Sequence, residues 1–131
     1  MKLKIITQER VVFDEEVDEI YSVGTDGEFG ILKGHIPMMT ALAIGVTRAK
    51  QGDNFKMFTT MGGILQFKNE ECLILTTLAE AGEEINEARA RDALERARRR
   101  LREADARLDA KRAEAAIARA EARLKAKLSQ Q

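Results

Sequence analysis

Short apolar segments recur at close intervals along the first 84 residues, and several of them alternate apolar with polar positions. The six clearest segments lie at residues 2–5, 18–23, 44–50, 55–60, 64–68 and 72–77. Turn-forming residues separate many of them, at 25–27, 51–54, 62–63 and 68–70. Alternation with a period of two, interrupted by such turns, is typical of short strands. Six or more strands at this spacing predict an antiparallel sandwich or barrel.

Beyond residue 84 the apolar positions step by four and three residues. One series comprises Ala90, Leu94, Ala97, Leu101 and Ala104, and a second comprises Ala106, Ala110, Ala113, Ile117, Ala120 and Leu124. This spacing places a narrow apolar stripe along one face of a helix. Such stripes are suited to packing one helix against another.

The bulky residues of these stripes indicate where the helical region divides. Leucines seven residues apart lead to Leu108, but nine residues separate Leu108 from Ile117, so the stripe changes phase. The change predicts a break into two helices, with Asp105 or Asp109 capping the second one. Neither glycine nor proline enforces the break, so one continuous helix is the alternative.

Composition changes at the same point as the spacing. All nine glycines, the only proline and all six aromatic residues precede residue 85, whereas residues 85–131 hold 14 alanines. A segment rich in alanine and free of glycine and proline favours helix. We therefore predict an all-β sandwich domain at residues 1–84, followed by an α-helical hairpin of two antiparallel helices at residues 85–131.

Charge also divides at this boundary. Residues 1–84 carry a net charge of −6 and residues 85–131 a net charge of +6, although the whole chain is neutral. A stripe made mostly of alanine buries little apolar area, so the two helices should hold each other weakly. The hairpin is therefore expected to have two states, one docked and one extended along a surface that offers better contacts.

The segment 27–37 is dense in glycine and contains the only proline, Pro37, and the only histidine, His35. This density predicts a tightly shaped surface loop. His35 is either a turn residue hydrogen-bonded to nearby backbone or part of an interface. No metal site is predicted, because no second histidine exists and the only cysteine, Cys72, lies in an apolar run that indicates a buried thiol.

Five arginines form a dense cationic cluster in the first predicted helix: Arg96, Arg98, Arg99, Arg100 and Arg102. The simplest interpretation is a solvated helix face. Nucleic-acid binding is an alternative, but the cluster has no aromatic neighbours for base stacking, and the acidic first domain would repel phosphates. An acidic protein surface is the better partner.

Several classes of function find no support in the sequence. It has no nucleophile arrangement, phosphate loop or metal-ligand spacing, so we interpret the protein as a non-enzyme. Its longest apolar runs fall short of the roughly 20 residues of a membrane span. No signal-peptide or transit-peptide pattern is present, so a cytosol-like compartment is expected.

These features together resemble the epsilon subunit family of bacterial and chloroplast F-type ATP synthases. The Gly-Ile-Leu-Lys-Gly-His-Ile-Pro run at residues 30–37, the Gly-Gly-Ile-Leu run at 62–65 and the helical region rich in Ala and Arg carry the resemblance. It covers essentially the full chain. It implies a sandwich that docks on the gamma subunit and on the membrane ring of c subunits, at the foot of the rotating central stalk.

The resemblance also implies roles for particular residues. Glu28, Gly30, His35 and Pro37 match the region that faces gamma and the c-ring. The arginine cluster would meet an acidic segment of the beta subunit when the hairpin extends, and would thereby inhibit ATP hydrolysis. The protein would then reach the membrane only through its complex, at the cytoplasmic face of a bacterial plasma membrane or at a plastid thylakoid.

Some members of that family bind ATP in the folded hairpin through an Ile/Leu-Asp-x-x-Arg-Ala motif. Here Ile85, Asn86, Arg89 and Ala90 match it with Asn in place of Asp, and the matching positions elsewhere are Glu80, Arg119 and Arg123. The arginines can neutralise phosphates. Asn86 is equally well explained as a helix N-cap. The resemblance therefore implies a regulatory ATP site in which ATP binding is weak or absent.

A free-standing adaptor, or a nucleic-acid-binding protein with a basic helical arm, is the alternative from another functional class. It would need no gamma-like partner. The coupling ion, proton or sodium, stays open.

Overall fold

The computed structural model describes residues 1–130, so Gln131, the last residue of the predicted hairpin region, lies outside the described residues. Residues 1–130 form eight strands, a 3-10 helix at Gly82–Glu84 and two α-helices. The strands are β1 (Lys2–Ile6), β2 (Val11–Glu16), β3 (Glu19–Gly24), β4 (Gly27–Leu32), β5 (Met38–Gln51), β6 (Asn54–Lys68), β7 (Glu71–Leu75) and β8 (Ala79–Ala81). The helices are α1 (Glu87–Arg102) and α2 (Arg107–Gln130).

The strands form a β-sandwich, which confirms the predicted fold class. They hydrogen-bond in the order β2-β1-β7-β6-β5-β3-β4, and β8 pairs with β6. The long strands β5 and β6 take part in both layers. In one layer, the later half of β5 and the earlier half of β6 lie beside β3 and β8. In the other layer, the earlier half of β5 and the later half of β6 lie beside β7. The expectation of a purely antiparallel arrangement was wrong, because β1 and β7 run parallel.

The core between the two layers is apolar and continuous. It is built from Leu3, Ile5, Phe13, Val17, Ile20, Ile31, Leu42, Ala49, Phe58, Leu65, Phe67, Cys72, Ile74, Ala79 and Ala81. Cys72 is 1% exposed, as its apolar run predicted. A short row of buried hydroxyls links β3, β5 and β6. Thr47 Oγ1 lies 2.8 Å from Ser22 Oγ and 3.0 Å from Thr60 Oγ1. Mutual hydrogen bonds allow these polar groups to be buried at low cost.

One glycine-rich stretch that the sequence predicted to be a turn is part of a strand. Gly62 and Gly63 lie inside the continuous β6 rather than between two strands. Both have a positive φ, and a Cβ on Gly63 would lie 2.0 Å from the Leu75 carbonyl oxygen. Gly63 is therefore required by the close approach of β7, and Gly62 is favoured by its positive φ, so a turn prediction from glycine content alone was wrong here. Strands β2, β4 and β8 were also missing from the prediction.

The helical region is a hairpin, so the alternative of one continuous helix is excluded. Helix α1 begins after Asn86, whose Oδ1 accepts a hydrogen bond from the Arg89 amide at 2.9 Å. Helix α2 begins at Arg107, and the Ala106 carbonyl accepts its first helical hydrogen bond. The predicted capping role of Asp105 or Asp109 was therefore wrong, because the residue at the capping position is Ala106.

Helix α2 lies between α1 and the sandwich. It packs on β5, on β6 and on the 3-10 helix, while α1 packs mainly on α2. A second apolar cluster joins the hairpin to the sandwich and contains Val46, Met57, Ile85, Ala90 and Ala126. The backbone approach is very close, since a Cβ on Gly82 would lie 2.6 Å from the Ala126 carbonyl oxygen. The docked position therefore depends on small residues on both sides.

Replacing Gly63 with alanine tests the close approach of β6 and β7. We expect the free energy of unfolding to fall by more than about 3 kcal/mol, because the new methyl overlaps the Leu75 carbonyl and φ is +106°. Urea denaturation monitored by circular dichroism measures the change. The matched control is Gly52→Ala, at a φ of +63° with open space around the added methyl, where a loss of about 1 kcal/mol is expected. Equal losses in both variants would contradict this explanation.

Candidate functional site

The two outer faces of the sandwich differ in what covers them. Helix α2 covers the face that includes the later half of β5 and the earlier half of β6. On the opposite face, neighbouring strands present apolar side chains to solvent, with Met39 66% exposed, Ile64 48% exposed and Leu75 49% exposed. The register places Ile64 directly between Leu75 and Ala41, and Met39 lies in the next row of this face, opposite Gln66. A contiguous exposed apolar patch of this kind marks an interaction surface.

The four predicted interface residues occupy two separate places. Glu28 and Gly30 lie on the edge strand β4, paired with Val23 and Tyr21, so the predicted loop at 27–37 is a loop only after Leu32. His35 and Pro37 lie in the connection between β4 and β5. Glu28 and Pro37 are exposed, whereas His35 is half-buried. Two of the four residues therefore lie on an edge strand, and the other two lie in the connection that follows it directly.

His35 is fixed by its local surroundings. Its amide donates to the Leu32 carbonyl at 3.0 Å, and its Nδ1 lies 2.7 Å from the Ile36 carbonyl oxygen. The ring meets the Phe67 ring edge-on at a centroid distance of 6.0 Å. The next residue, Ile36, is 74% exposed. The histidine thus supports the connection, and the neighbouring Ile36 side chain is exposed to solvent.

Gly30 is required by the aromatic side chain on the neighbouring strand. A Cβ at this position would lie 2.8 Å from Tyr21 Cε1. The Tyr21 hydroxyl donates to the Glu19 carboxylate, and this bond is the main cause that lowers the pKa of Glu19 and raises the pKa of Tyr21. Arg48 stacks on the Tyr21 ring at 4.9 Å. The role of Gly30 is therefore packing, and the exposed group on this strand is Glu28.

The arginine cluster lies on the second half of α1. All five side chains are exposed: Arg96, Arg98, Arg99, Arg100 and Arg102. Within residues 1–130 none of the five takes part in an ion pair, while the nearby Arg91 pairs with Glu87 at 3.5 Å. Arginines in the last turn of a helix are favoured by the helix dipole. The cluster is therefore a cationic surface available to an acidic partner.

The residues of the predicted nucleotide site converge on one cleft, with a single exception. An open cleft of about 390 Å³ lies where α1, α2 and β8 meet. Its lining includes Glu80, Ile85, Asn86, Arg89, Ala90 and Arg123. Arg119 instead lines the next cleft along the hairpin. Arg96 also lines the first cleft and was not predicted there, although its spacing of seven residues from Arg89 puts both on the same helix face.

Two polar side chains of this cleft, Arg123 and Asn86, already have partners within the protein. Arg123 Nε donates to Glu80 Oε1 at 2.7 Å, between side chains that are 26% and 30% exposed. Asn86 Oδ1 is occupied by the Arg89 amide in the helix cap. The Glu80 carboxylate offsets the charge of Arg123 and occupies its Nε donor, which weakens the attraction of Arg123 for a phosphate. The cleft is therefore cationic, but some of its polar groups are already hydrogen-bonded within the protein.

No group of three or more histidine, cysteine, aspartate or glutamate side chains in residues 1–130 is arranged to hold a metal ion. Burial raises the pKa of the Cys72 thiol to about 12, so it stays protonated at neutral pH. Neither α1 nor α2, as far as the structure describes them, is long and apolar enough to cross a bilayer.

Comparison with known families matches nearly the whole chain. Residues 1–82 match the "ATP synthase, Delta/Epsilon chain, beta-sandwich domain" profile, and residues 83–127 match the "ATP synthase, Delta/Epsilon chain, long alpha-helix domain" profile. The ATP synthase epsilon chain of Carboxydothermus hydrogenoformans is 44% identical over 100 residues, covering 76% of this chain and 75% of that protein. The epsilon chain of Desulforamulus reducens is 41% identical over 99 residues, with coverages of 76% and 75%.

Solved structures support the same assignment. A chain in the OSCP/F1/c-ring structure of the Euglena gracilis mitochondrial ATP synthase is 26% identical and aligns with a TM-score of 0.82, covering 96% of this chain and 79% of that one. A chain in the central stalk/c-ring structure of the Tetrahymena thermophila mitochondrial ATP synthase shares the fold at 11% identity, with a TM-score of 0.68 and coverages of 96% and 95%. The chain therefore belongs to the ATP synthase delta/epsilon family, as an epsilon-type, non-catalytic subunit of the central stalk.

Proposed function

We propose that this protein couples the c-ring to the catalytic head of the ATP synthase through gamma, and that its hairpin inhibits ATP hydrolysis when it extends. The observation that carries the proposal is the difference between the two outer faces of the sandwich. One face is covered by the hairpin, and the other exposes apolar side chains. Family membership favours this function over a free-standing adaptor or a nucleic-acid-binding protein.

The gamma subunit is the partner that we assign to the exposed apolar face. Met39, Ile64 and Leu75 lie on one face of three adjacent strands, where Gln66 and the half-buried Leu73 complete the surface. A permanent partner is the usual reason for such a surface, since burying it gains about 25 cal/mol for each Å² of apolar area. The flat, rigid sheet suits a stable anchor on the stalk.

The c-ring is the partner that we assign to Glu28 and to the connection at His35 and Pro37. Glu28 offers an exposed carboxylate, and the connection presents Ile36 and Pro37 beside the supporting His35. Gly30 contributes by allowing Tyr21 to pack beneath β4. Contacts of this kind would hold the protein against the membrane only indirectly, at the cytoplasmic face of a bacterial membrane or at a plastid thylakoid. Either proton or sodium coupling is compatible with them.

The beta subunit is the partner that we assign to the arginine cluster. Helix α1 packs mainly on α2, so the five arginines can leave with the hairpin without disturbing the sandwich core. Several exposed cations on adjacent turns attract an acidic surface and accelerate encounter with it. Extension along gamma would then place them against an acidic segment of beta and block rotation in the direction of hydrolysis.

The cleft at Glu80 and Arg123 is the site that we assign to a regulatory ATP, with binding that is weak or absent. Arg89, Arg96 and Arg123 supply positive charge around it. Against binding, Glu80 neutralises Arg123, and Asn86 brings no charge to the position where the family motif has Asp. Arg119 faces the neighbouring cleft and would have to turn inward.

The substitution Ile64→Lys tests the gamma-facing surface. An unpaired ammonium buried at the centre of an apolar interface is costly, so we expect the affinity for gamma to fall at least 10-fold. Titration of the full-length protein into purified gamma, followed by surface plasmon resonance, measures the change. Leu108→Lys is the matched control, because Leu108 is 57% exposed but lies on the hairpin. An affinity unchanged by Ile64→Lys, or equally reduced by both, would contradict the assignment.

Removing residues 85–131 tests inhibition by the hairpin. The truncated protein should still assemble with the complex, and ATP hydrolysis by that complex should rise, because the cationic arm is missing. In the full chain, Arg98→Ala with Arg99→Ala and Arg102→Ala should raise hydrolysis in the same direction. Lys111→Ala with Arg112→Ala, two cations on α2, serve as the control pair. Hydrolysis that stays the same in the truncated, assembled complex is the result that excludes this role.

Isothermal titration of the isolated protein with MgATP tests the nucleotide site. We expect a dissociation constant of about 1 mM or weaker, or no heat of binding, because Arg123 and Asn86 are engaged within the protein. Arg123→Gln should then leave the titration unchanged. Micromolar binding that Arg123→Gln abolishes would contradict the expectation and would establish the cleft as a functional ATP site.

A further inference from the structure

Among residues 1–130, part of one edge of β6 has no strand beside it. Along its whole length β6 pairs with β5, but on its other edge β8 pairs only with Phe58–Thr60 and β7 only with Ile64–Lys68. The first residues of β6, up to Met57, therefore have backbone groups that point away from β5 with no sheet partner. Unpaired edge groups of this kind are a ready template for another hydrogen-bonding element.

The side chain of Gln130 occupies this edge. The Met57 amide donates to Gln130 Oε1 at 2.7 Å, and Gln130 Nε2 donates to the Phe55 carbonyl at 3.1 Å. A carboxamide offers one acceptor and one donor with the spacing of a peptide group, so it continues the sheet by one unit. Gln130 is separated in the chain from Met57 by 73 positions and from Phe55 by 75 positions.

Two further contacts lie within the last turns of α2. Lys127 Nζ donates to the Glu83 carbonyl at 3.2 Å. The backbone of α2 approaches Gly82 so closely that a Cβ there would lie 2.6 Å from the Ala126 carbonyl oxygen. Gln130 can reach β6 only because this approach places the end of α2 beside the sheet. These two contacts and the Gln130 amide therefore all hold the same end of α2 against the sandwich.

We propose that Gln130 is a latch, in which its side chain holds the hairpin docked by completing the free edge of β6. The regulatory meaning of the latch rests on the proposed inhibitory function, since only a docked hairpin keeps the arginine cluster away from beta. The latch closes with protein groups alone and needs no nucleotide. It also ends the β6 edge, which would otherwise be open to strand addition.

The energetics of such a latch suit a reversible switch. When the hairpin leaves, water replaces Gln130 at the Phe55 carbonyl and the Met57 amide, so only the net value of two hydrogen bonds is lost. Each is worth about a factor of 5 in the docking equilibrium. The latch therefore biases the hairpin toward the docked state and remains easy to open when gamma and beta offer a larger surface.

The test compares the docked and undocked populations of the isolated, full-length protein. Nitroxide labels on cysteines at the exposed positions Asp53 and Lys111 report the distance between the sandwich and α2 by double electron–electron resonance. Cys72 stays unlabelled because it is buried with a raised pKa. We expect Gln130→Ala to raise the ratio of undocked to docked protein about 25-fold, because both hydrogen bonds are lost. Glu121→Ala, an exposed change on the same helix, should leave the ratio unchanged.

Two further variants secure the interpretation. Gln130→Glu keeps the acceptor for Met57 but sets a carboxylate against the Phe55 carbonyl, so it should also favour undocking. Gly82→Ala should undock the hairpin by a different cause, and it shows that the labels detect undocking. If Gly82→Ala shifts the ratio but both Gln130 variants stay within twofold of the unaltered protein, the latch is wrong. If the Gln130 variants undock the hairpin but hydrolysis by the complex is unaltered, the latch stands and the inhibitory function fails.

Discussion

The closeness with which α2 approaches the sandwich determines most of what this protein can do. Gly82 and Ala126 meet at a distance that leaves no room for a side chain, and Ala122 and Ala120 are buried on the same helix. Small residues permit the approach, but each buries little apolar area. The position of α2 consequently depends on a combination of modest contacts. Helix α1, which carries the arginine cluster, depends in turn on α2, because it packs mainly on that helix.

This arrangement gives the two parts of the molecule different physical characters. The sandwich has a core of large apolar side chains, including Phe58, Phe67 and Leu65, which hold two sheet layers together. The hairpin has an alanine-rich interior and is attached through a small cluster at Val46 and Met57 and through polar contacts at its end. Opposite net charges on the two parts favour docking without adding rigidity. These differences are the reason for expecting the cationic hairpin to detach more readily than the sandwich unfolds.

The sequence predicted the features that depend on local pattern. Alternation and turn residues predicted most of the sandwich, and the phase change near Leu108 predicted the break between the helices. Features set by partners distant in sequence could not be predicted. Glycine density suggested a loop around Gly30 and a turn at Gly62 and Gly63, but the positions of Tyr21 and of the Leu75 carbonyl explain why those strands need glycine.

The candidate sites divide in the same way. A family motif brought Glu80, Arg89 and Arg123 under consideration, and the fold places them in one cleft. The sequence could not reveal that Arg123 is already paired with Glu80, 43 residues away, or that Gln130 completes an edge of β6. Both contacts depend on the docking of α2, which no local pattern encodes. Arg96 could have been predicted to line the cleft, because its spacing from Arg89 puts both on the same helix face.

The central claim is that the hairpin leaves the sandwich while the sandwich stays folded. Native-state hydrogen exchange of the isolated protein tests it most directly, because it measures the opening free energy of each amide. The amides of α1 and α2 should open at a free energy at least about 2 kcal/mol below those of β1, which is hydrogen-bonded on both sides. Equal opening free energies in the helices and in β1 would show one inseparable unit and would contradict the account.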